Sequence, residues 1–444
     1  MISARRPPAP DFTIGWEEVV LLHLAVHLGA DAFKELSPDE CRRLEFFVRG
    51  GCGCHKVMNA DKAFCDGCAE AYALKQVKFV IALAVPCILP PKDKRAAIDS
   101  DVPGGSAAKQ AIAESKRGGA KLCGLLGSLC NNRETKRGYQ DLHRWWFELV
   151  KLQKWGIGFS VKFPDTSNIR YQSYLRAALE IIKLLPEYRE FLIIARDRKR
   201  DPRFTNIEQN VYDALHDPAT IAELAAMAIY YMIVSAPAMR AVRSRPRGQT
   251  AKANYLHMGP VFHRIVDHLN FAIYNCGPLL CVSELPTRGK LCTFDGSDWE
   301  DPRAIEAIAD LMPSMSNLRP VLVRGLIKAR DNWKKFSDDF APGSQIDLLT
   351  AVERVLGYMP PENDDNESLL GQFRLFTRQY PNALARTFTA GVTYAHNDTE
   401  AFSERYLTAD AIQTYIMQLA RKQDASGEAK KFRLALLKHE AEKA

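Results

Sequence analysis

Residues 46–68 read FFVRGGCGCHKVMNADKAFCDGC, and the way this stretch folds decides how the rest of the chain is organised. It holds four of the eleven cysteines, Cys52, Cys54, Cys65 and Cys68, together with His55. The pattern is C-x-C-H, nine residues, then C-x-x-C. Zinc prefers thiolate and imidazole ligands, and four of them close a tetrahedral shell. Two ligand pairs joined by a short loop let a flexible chain fold around such an ion. The spacing therefore predicts a structural zinc (Zn) site from Cys52, His55, Cys65 and Cys68. Cys54 is the alternative to Cys52, because adjacent Cys54 and His55 cannot easily both reach one ion. The competing reading is that small apolar cysteines pack under a loop and bind nothing. The cysteines are odd in number and scattered, and the opening MISARRPPAP lacks the apolar core of a signal sequence. These features predict a reduced compartment, nuclear or cytoplasmic and not secreted, and argue against a disulfide framework.

A length of 444 residues is enough for two or three domains with real cores. Apolar residues make up 47% and charged residues 25%, the composition of a globular chain and not of a disordered one. A net charge of +7 permits an anionic partner without requiring one. The apolar run Phe79–Leu89 is interrupted by Pro86 and is too short to span a bilayer, so no membrane partner is expected.

The pattern along the chain is helical. Val19, Val20, Leu22, Ala25, Val26 and Leu28 give Trp16–Leu28 a wide apolar face, and Ser37-Pro38 opens a second helix over Asp39–Val48. Val77–Ile88 fits helix or buried strand equally. Residues 90–120 are polar with Pro and Gly at both ends, an exposed insertion. Lys121–Cys130 is compact but lacks the Gly–Lys–Ser/Thr ending of a phosphate loop. Tyr139–Leu152 is predicted to be a helix with Trp145, Trp146 and Phe147. Thr166 or Ser167 is placed to cap a helix whose apolar face is Leu175, Ala178, Leu179 and Ile182. Arg170 would then stand in its first turn against the dipole, which calls for an anionic neighbour, either Asp165 or a phosphate or active-site carboxylate. Asp217-Pro218 opens an apolar segment, ATIAELAAMAIYYMIV, that belongs inside a bundle. Val261–Tyr274, Leu318–Phe336, Asp410–Arg421 and Ala429–Glu440 continue the series.

Between two of these helices, RAVRSRPRGQTAK places Arg240, Arg243, Arg245, Arg247 and Lys252 in one basic loop. Such a cluster is either solvated surface or a phosphate-binding patch, which makes DNA the candidate partner. Further on, Asp364 and Glu367 stand at capping-box spacing, and Glu367 also lies at the edge of the face carrying Leu370, Phe373 and Phe376.

The segment C-x-x-H-x-x-x-N (Cys52, His55, Asn59) resembles the C-x-x-H motif of hAT and KDZ-type DNA transposases. TSNIRYQS (Thr166, Arg170, Tyr171, Gln172, Ser173) is similar to the T-R-W-N-S element of hAT transposases with looser spacing. The order GC-x-x-H-K, FPDTSN-x-R-x-QS, EQNVYDALHD, DGS-x-W and NDDNE-x-x-LG-x-x-R is similar to transposase-like reading frames of mushroom-forming fungi. The resemblance implies a mainly α chain with a partial ribonuclease-H-like α/β remnant split by a large all-helical insertion. It implies domains at 1–174, 175–358 and 359–444, with the helical insertion in the middle. Glu367 takes the place of the last acid of a D-D-E triad that holds two Mg ions in the family. The 51 residues before Cys52 read as helices and supply no first acid on a strand, so the missing acids would come from another chain, as in a homo-oligomer. The implied function is therefore a catalytically inactive, transposase-derived DNA-binding protein with a structural Cys/His metal site. By the same resemblance Trp299 (in FDGSDWEDP) or Trp333 would stack on a flipped base. A non-catalytic helical interaction scaffold is the alternative, and a metal-dependent nuclease completed by unidentified acids is the third reading.

Overall fold

The computed structural model of the chain describes residues 34–44, 46–73, 118–134, 138–156, 162–166, 172–244, 253–281, 283–381 and 383–443. The expected helix at Trp16–Leu28, the ambiguous segment Val77–Ile88 and nearly all of the 90–120 insertion lie outside these residues. The protein is mainly α, and no strand occurs among the described residues. The chain forms two compact units, residues 1–362 and 363–444. The expected division at 174/175 falls within the first of them.

The first unit contains α1 (Pro38–Leu44), α2 (Gly53–Ala73), α3 (Gly119–Cys130), α4 (Gln140–Trp155), α5 (Ser173–Lys183) and α6 (Leu185–Asp197). It continues with α7 (Asn206–His216), α8 (Pro218–Tyr230), α9 (Ala236–Val242), α10 (Gly259–Tyr274), α11 (Gly289–Cys292), α12 (Pro302–Leu311), α13 (Leu318–Ser337) and α14 (Ala351–Leu356). At its centre is α8, as its apolar sequence requires: every residue from Ala219 to Tyr230 is buried. Asp217 caps it, accepting from the Thr220 N–H at 2.9 Å, and Pro218 follows at the first helical position, where its missing N–H costs nothing. The run Pro218–Val242 is long and apolar enough to cross a membrane, with a mean hydropathy of 1.6. Its most apolar window is wholly inside the unit.

Between α8 and α9 the backbone widens into a π turn, Tyr231–Ser235. Pro237 supplies the reason. It cannot donate to the carbonyl four residues back, and its ring crowds that carbonyl. The oxygen so released, that of Ile233, is taken by the Phe294 N–H at 3.0 Å.

The largest interface is that of α2 with α13, and α13 also packs on α8 and α10. The two backbones meet at glycines. A Cβ on Gly67 would stand 2.8 Å from the Arg324 carbonyl, and one on Gly325 would stand 2.6 Å from the Phe64 ring. Phe64 in turn stacks on Tyr230 of α8, with centroids 4.2 Å apart and planes inclined by 9°. Phe262 meets Trp333 at 5.5 Å and Tyr255 at 6.4 Å, and all three are buried.

Several helix ends differ from the sequence expectation. Thr166 does not cap α5, which starts at Ser173 behind Gln172, a non-glycine residue at φ 59°, and Ser167, the other expected cap, lies outside the described residues. Thr166 instead lies where a side chain on Gly127 would be. Helix α1 ends at Leu44, before the predicted Val48, and is closed at its start by Ser37 and Glu40 in a reciprocal cap.

The second unit holds α15 (Asp364–Gln379), α16 (Ala385–His396), α17 (Thr399–Tyr406), α18 (Asp410–Ala425) and α19 (Glu428–Lys443). Phe373 and Phe376 of α15 meet Phe388 of α16 at 5.1 and 5.4 Å. Asn363, not the expected Asp364, stands at the N-cap of α15 and makes no side-chain cap bond.

Candidate functional site

The Cys/His stretch is not a loop. Cys52 is the N-cap of α2, since its carbonyl accepts the Lys56 N–H at 3.1 Å, and the helix then runs unbroken through Ala73. Glycines shape its approach: a Cβ on Gly50 would meet Met359 and Tyr255, and one on Gly53 would meet Val242 and the Pro361 carbonyl. Because residues 53–73 are helical, Cys52 and His55 lie at one end, and Cys65 and Cys68 lie about 15 Å along the axis. The four side chains expected to share a zinc ion therefore do not converge. Substituting Cys54 for Cys52 does not change this, since it stands at the same end. Among the described residues no group of three or more His, Cys, Asp or Glu side chains is placed to hold a metal ion.

Each part of α2 has its own surroundings. At the N-terminal end the Cys52 thiol is held well below the ordinary thiol range by a hydrogen bond from Cys54, against the opposing effect of burial, with further help from the His55 N–H and imidazole. Cys54 is pushed up by its bond to Cys52 and by burial, although Arg243 beside it works the other way.

Two residues after Cys54, Lys56 turns inward. Its ammonium donates to Tyr255 Oη and Asp339 Oδ2, both at 2.5 Å, and to the Phe336 carbonyl at 3.1 Å. Tyr255 donates to the same Asp339 oxygen at 2.7 Å, and the rings of Tyr255, Phe262, Phe336 and Phe340 surround the charge at 5.2–5.9 Å. Burial lowers the Lys56 pKa, and Asp339 opposes that shift. Asp339→Ala is expected to destabilise the unit by about 2–3 kcal/mol. That is below the usual cost of orphaning a buried charge, because the Asp339 side chain is 44% exposed. Urea denaturation of the single variant measures it, and a change under about 0.5 kcal/mol would show that the aromatic cage alone suffices.

In the middle of α2, Asp61 is buried and accepts from Ser235 Oγ at 2.9 Å, and Ser235 accepts from Gln172 Nε2 at 2.9 Å. The π turn, the left-handed Gln172 and α2 are thus joined by one polar chain. Burial raises the Asp61 carboxyl to about 8, the bond from Ser235 only partly offsetting it. Cys68 donates to the Val321 carbonyl of α13 at 3.8 Å, and burial raises the Cys65 and Cys68 thiols far above the ordinary range, assisted by the charge of Glu223 on α8. Glu223 accepts from the Gly119 and Ala120 N–H groups at the start of α3, and burial raises it to about 7. Gly118 precedes that helix at φ 88°, and a Cβ there would stand on Glu223 Oε2.

The expected DNA-contacting residues are placed as follows. Arg170, Arg245, Arg247 and Lys252 lie outside the described residues. Arg240 is matched within the unit, bonding Glu300 at 2.7 Å, Asp295 at 3.1 Å and Ser297 at 2.9 Å, so the DGS-x-W loop is its acidic counterpart. Arg243 faces Glu362 at 3.8 Å. Trp299 is 7% exposed and donates through Nε1 to the Leu285 carbonyl at 3.0 Å, so packing accounts for it, as it does for Trp333. Glu367 is an exposed residue on α15 of the second unit, and does not turn inward with Phe373 and Phe376.

A surface pocket of 370 Å³ is lined by His257, His263, Asp347 and Arg354 among others. The Arg354 guanidinium is already bonded to the Leu256 and Ile346 carbonyls, each at 2.6 Å, so its charge organises the wall and is not directed to a ligand.

Asp61, Glu223 and Lys56 were not singled out by sequence reasoning. Glu223 carried a signal, being the lone acid in ATIAELAAMAIYYMIV. Lys56 enters only as the last letter of GC-x-x-H-K, and Asp61 carries no signal, being one of three acids in α2 with Asp66 and Glu70. No family model, curated protein or solved structure matches the chain.

Proposed function

We propose that this chain is a non-catalytic helical interaction protein, in which the first unit is a rigid body and the helices of residues 363–444 are the partner-binding surface. The observation that carries this reading is the burial pattern of the second unit. No described side chain from 363 to 443 is buried, while Leu370, Leu375, Phe402, Tyr415, Phe432 and Leu437 are each more than half exposed. Helices with that much apolar surface in water gain stability by covering it against another chain, and patches of this extent mark interaction sites. Cross-linking of the full chain in its own cells, followed by mapping of the linked peptides, tests the reading. Inter-protein links concentrated in 363–444 are the expected result. Links confined to residues 34–362 would overturn it.

A second reading, the transposase-derived DNA-binding protein with a ribonuclease-H-like remnant, has one observation in its favour. Gln172, from the TSN-x-R-x-QS element, is joined through Ser235 to Asp61 on the helix that carries C-x-x-H, so two of the resembling motifs share a polar network. Filter binding of duplex and hairpin DNA over a salt series separates the readings. The second requires affinity that falls steeply with salt, and absence of binding at low salt would remove it.

A further inference from the structure

We propose that the chain forms a two-fold dimer through its second unit, in which α18 of one copy lies antiparallel on α18 of the other. This rests on the reading of residues 363–444 as a partner-binding surface, and it names the partner as a second copy of the chain. Every residue of α18, from Asp410 to Ala425, is exposed. A helix of sixteen residues is marginal by itself in water, so one with no buried face takes its stability from whatever covers it. Ile412, Tyr415, Ile416 and Leu419 stand at i, i+3, i+4 and i+7 and form one apolar stripe, each 39–61% exposed.

The shape, charge and area of this surface fit a second copy. The stripe is symmetric about the point midway between Tyr415 and Ile416. A two-fold axis there sets Ile412 against Leu419 of the partner subunit and Tyr415 against Ile416 of the partner subunit, so apolar meets apolar throughout. Residues 411–420, AIQTYIMQLA, include no charged residue, so no like charges are opposed along the contact. Antiparallel order also places the positive end of each helix dipole beside the negative end of the other. Residues 363–444 carry eleven acidic and eleven basic side chains, so the +7 excess of the chain lies wholly in residues 1–362. A balanced surface does not repel its own copy, and it gives a nucleic acid or an anionic membrane no net attraction. Fifteen large apolar side chains of this unit are exposed. They offer on the order of 1,000 Å² or more of apolar surface per copy, where a standard interface takes about 800 Å² from each partner.

Ile416 and its symmetry mate lie next to the axis, so a substitution there acts twice in one small region of the contact. Two lysines at that place repel each other and lose water, whereas a lysine facing a glutamate pairs with it. Thr414, 200° around the helix from Ile412, lies on the opposite side of α18 from the stripe and serves as the control position. Because α18 has no buried residue, none of these substitutions disturbs packing inside a single copy.

The test is light scattering of the purified full chain after size exclusion, at concentrations from about 1 to 100 μM. The expected result is a species of twice the chain mass. Ile416→Lys should weaken the dimer about 100-fold, and Thr414→Lys should leave it within about twofold of the wild type. An equal mixture of Ile416→Lys and Ile416→Glu chains should dimerise again, which also shows that both variants are folded. A wild type that stays monomeric throughout overturns the proposal. So does a dimer that Ile416→Lys leaves intact, or a mixture that does not associate. In each of these cases, cross-links from 363–444 to other proteins would leave the interaction reading standing, and links confined to residues 34–362 would remove that reading as well.

Discussion

Asp61→Asn is expected to gain stability relative to the wild type by about 1.4 kcal/mol for each pH unit between about 4 and 8. Asp61 lies inside the interface of α2 with the π turn, and burial holds its carboxyl at about 8. An aspartate in the unfolded chain titrates near 3.9. Between those values the folded protein binds a proton that the unfolded chain has released, so stability is fully present at the acid side and is lost as pH rises through the folded pKa. Above about 8 the wild type has either ionised a buried carboxyl or opened the helix contact around it. The asparagine variant has no such proton, keeps an oxygen to accept from Ser235, and so loses nothing over the window. The difference between the two proteins is the quantity to measure, because His143, lowered by burial to about 4, and the Cys52 pair titrate alike in both. Denaturant unfolding at four pH values gives it. Glu223→Gln should behave in the same direction over a shorter range, ending near 7, since two backbone N–H groups partly stabilise its charge. A wild-type-minus-Asn difference that does not change with pH would mean that Asp61 is ionised in the fold.

These acids show why the helical architecture was legible in the sequence and the site was not. Apolar periodicity located Val261–Tyr274 and Leu318–Phe336 to within two residues of α10 and α13, because burying one face of a helix requires apolar residues at a fixed spacing. Asp217-Pro218 located the start of α8 because capping chemistry is local. The Cys/His stretch admits both a metal-binding loop and a helix, because ligand spacing and helical spacing both accept C-x-x-C, and the absence of Pro and Gly between Cys54 and Cys65 is what favours the helix. Trp299, placed in a polar loop by its neighbours, is buried because Leu285 lends a carbonyl from fourteen residues away. The partners of Lys56, Asp61 and Glu223 come from residues 103 to 283 positions away in sequence, and no local pattern announces such meetings.

The same chemical change, glycine to alanine, is expected to have opposite signs at two kinds of helix in this protein. Gly67→Ala should destabilise the first unit by more than about 3 kcal/mol. Its new methyl group would lie 2.8 Å from the Arg324 carbonyl and 2.9 Å from the Gly325 Cα, and these are backbone atoms that no rotamer change can move. Relief requires α2 and α13 to separate along their whole contact, which loosens Phe64 from Tyr230 and uncovers Trp333. Gly325→Ala meets the Phe64 ring at 2.6 Å, and Phe64 is fixed by its stack, so a similar loss is expected there. Gly371 in α15 and Gly391 in α16 have nothing within 4 Å of an added Cβ. Alanine there should stabilise the second unit by about 0.5–1 kcal/mol, because it removes backbone freedom from the unfolded chain without touching anything in the folded one. Thermal unfolding followed by hydrogen exchange assigns each change to its unit. The outcome that would sink the close-approach argument is a Gly67→Ala protein whose α2 amides keep wild-type protection, since the helices would then have room that a 2.8 Å contact does not allow.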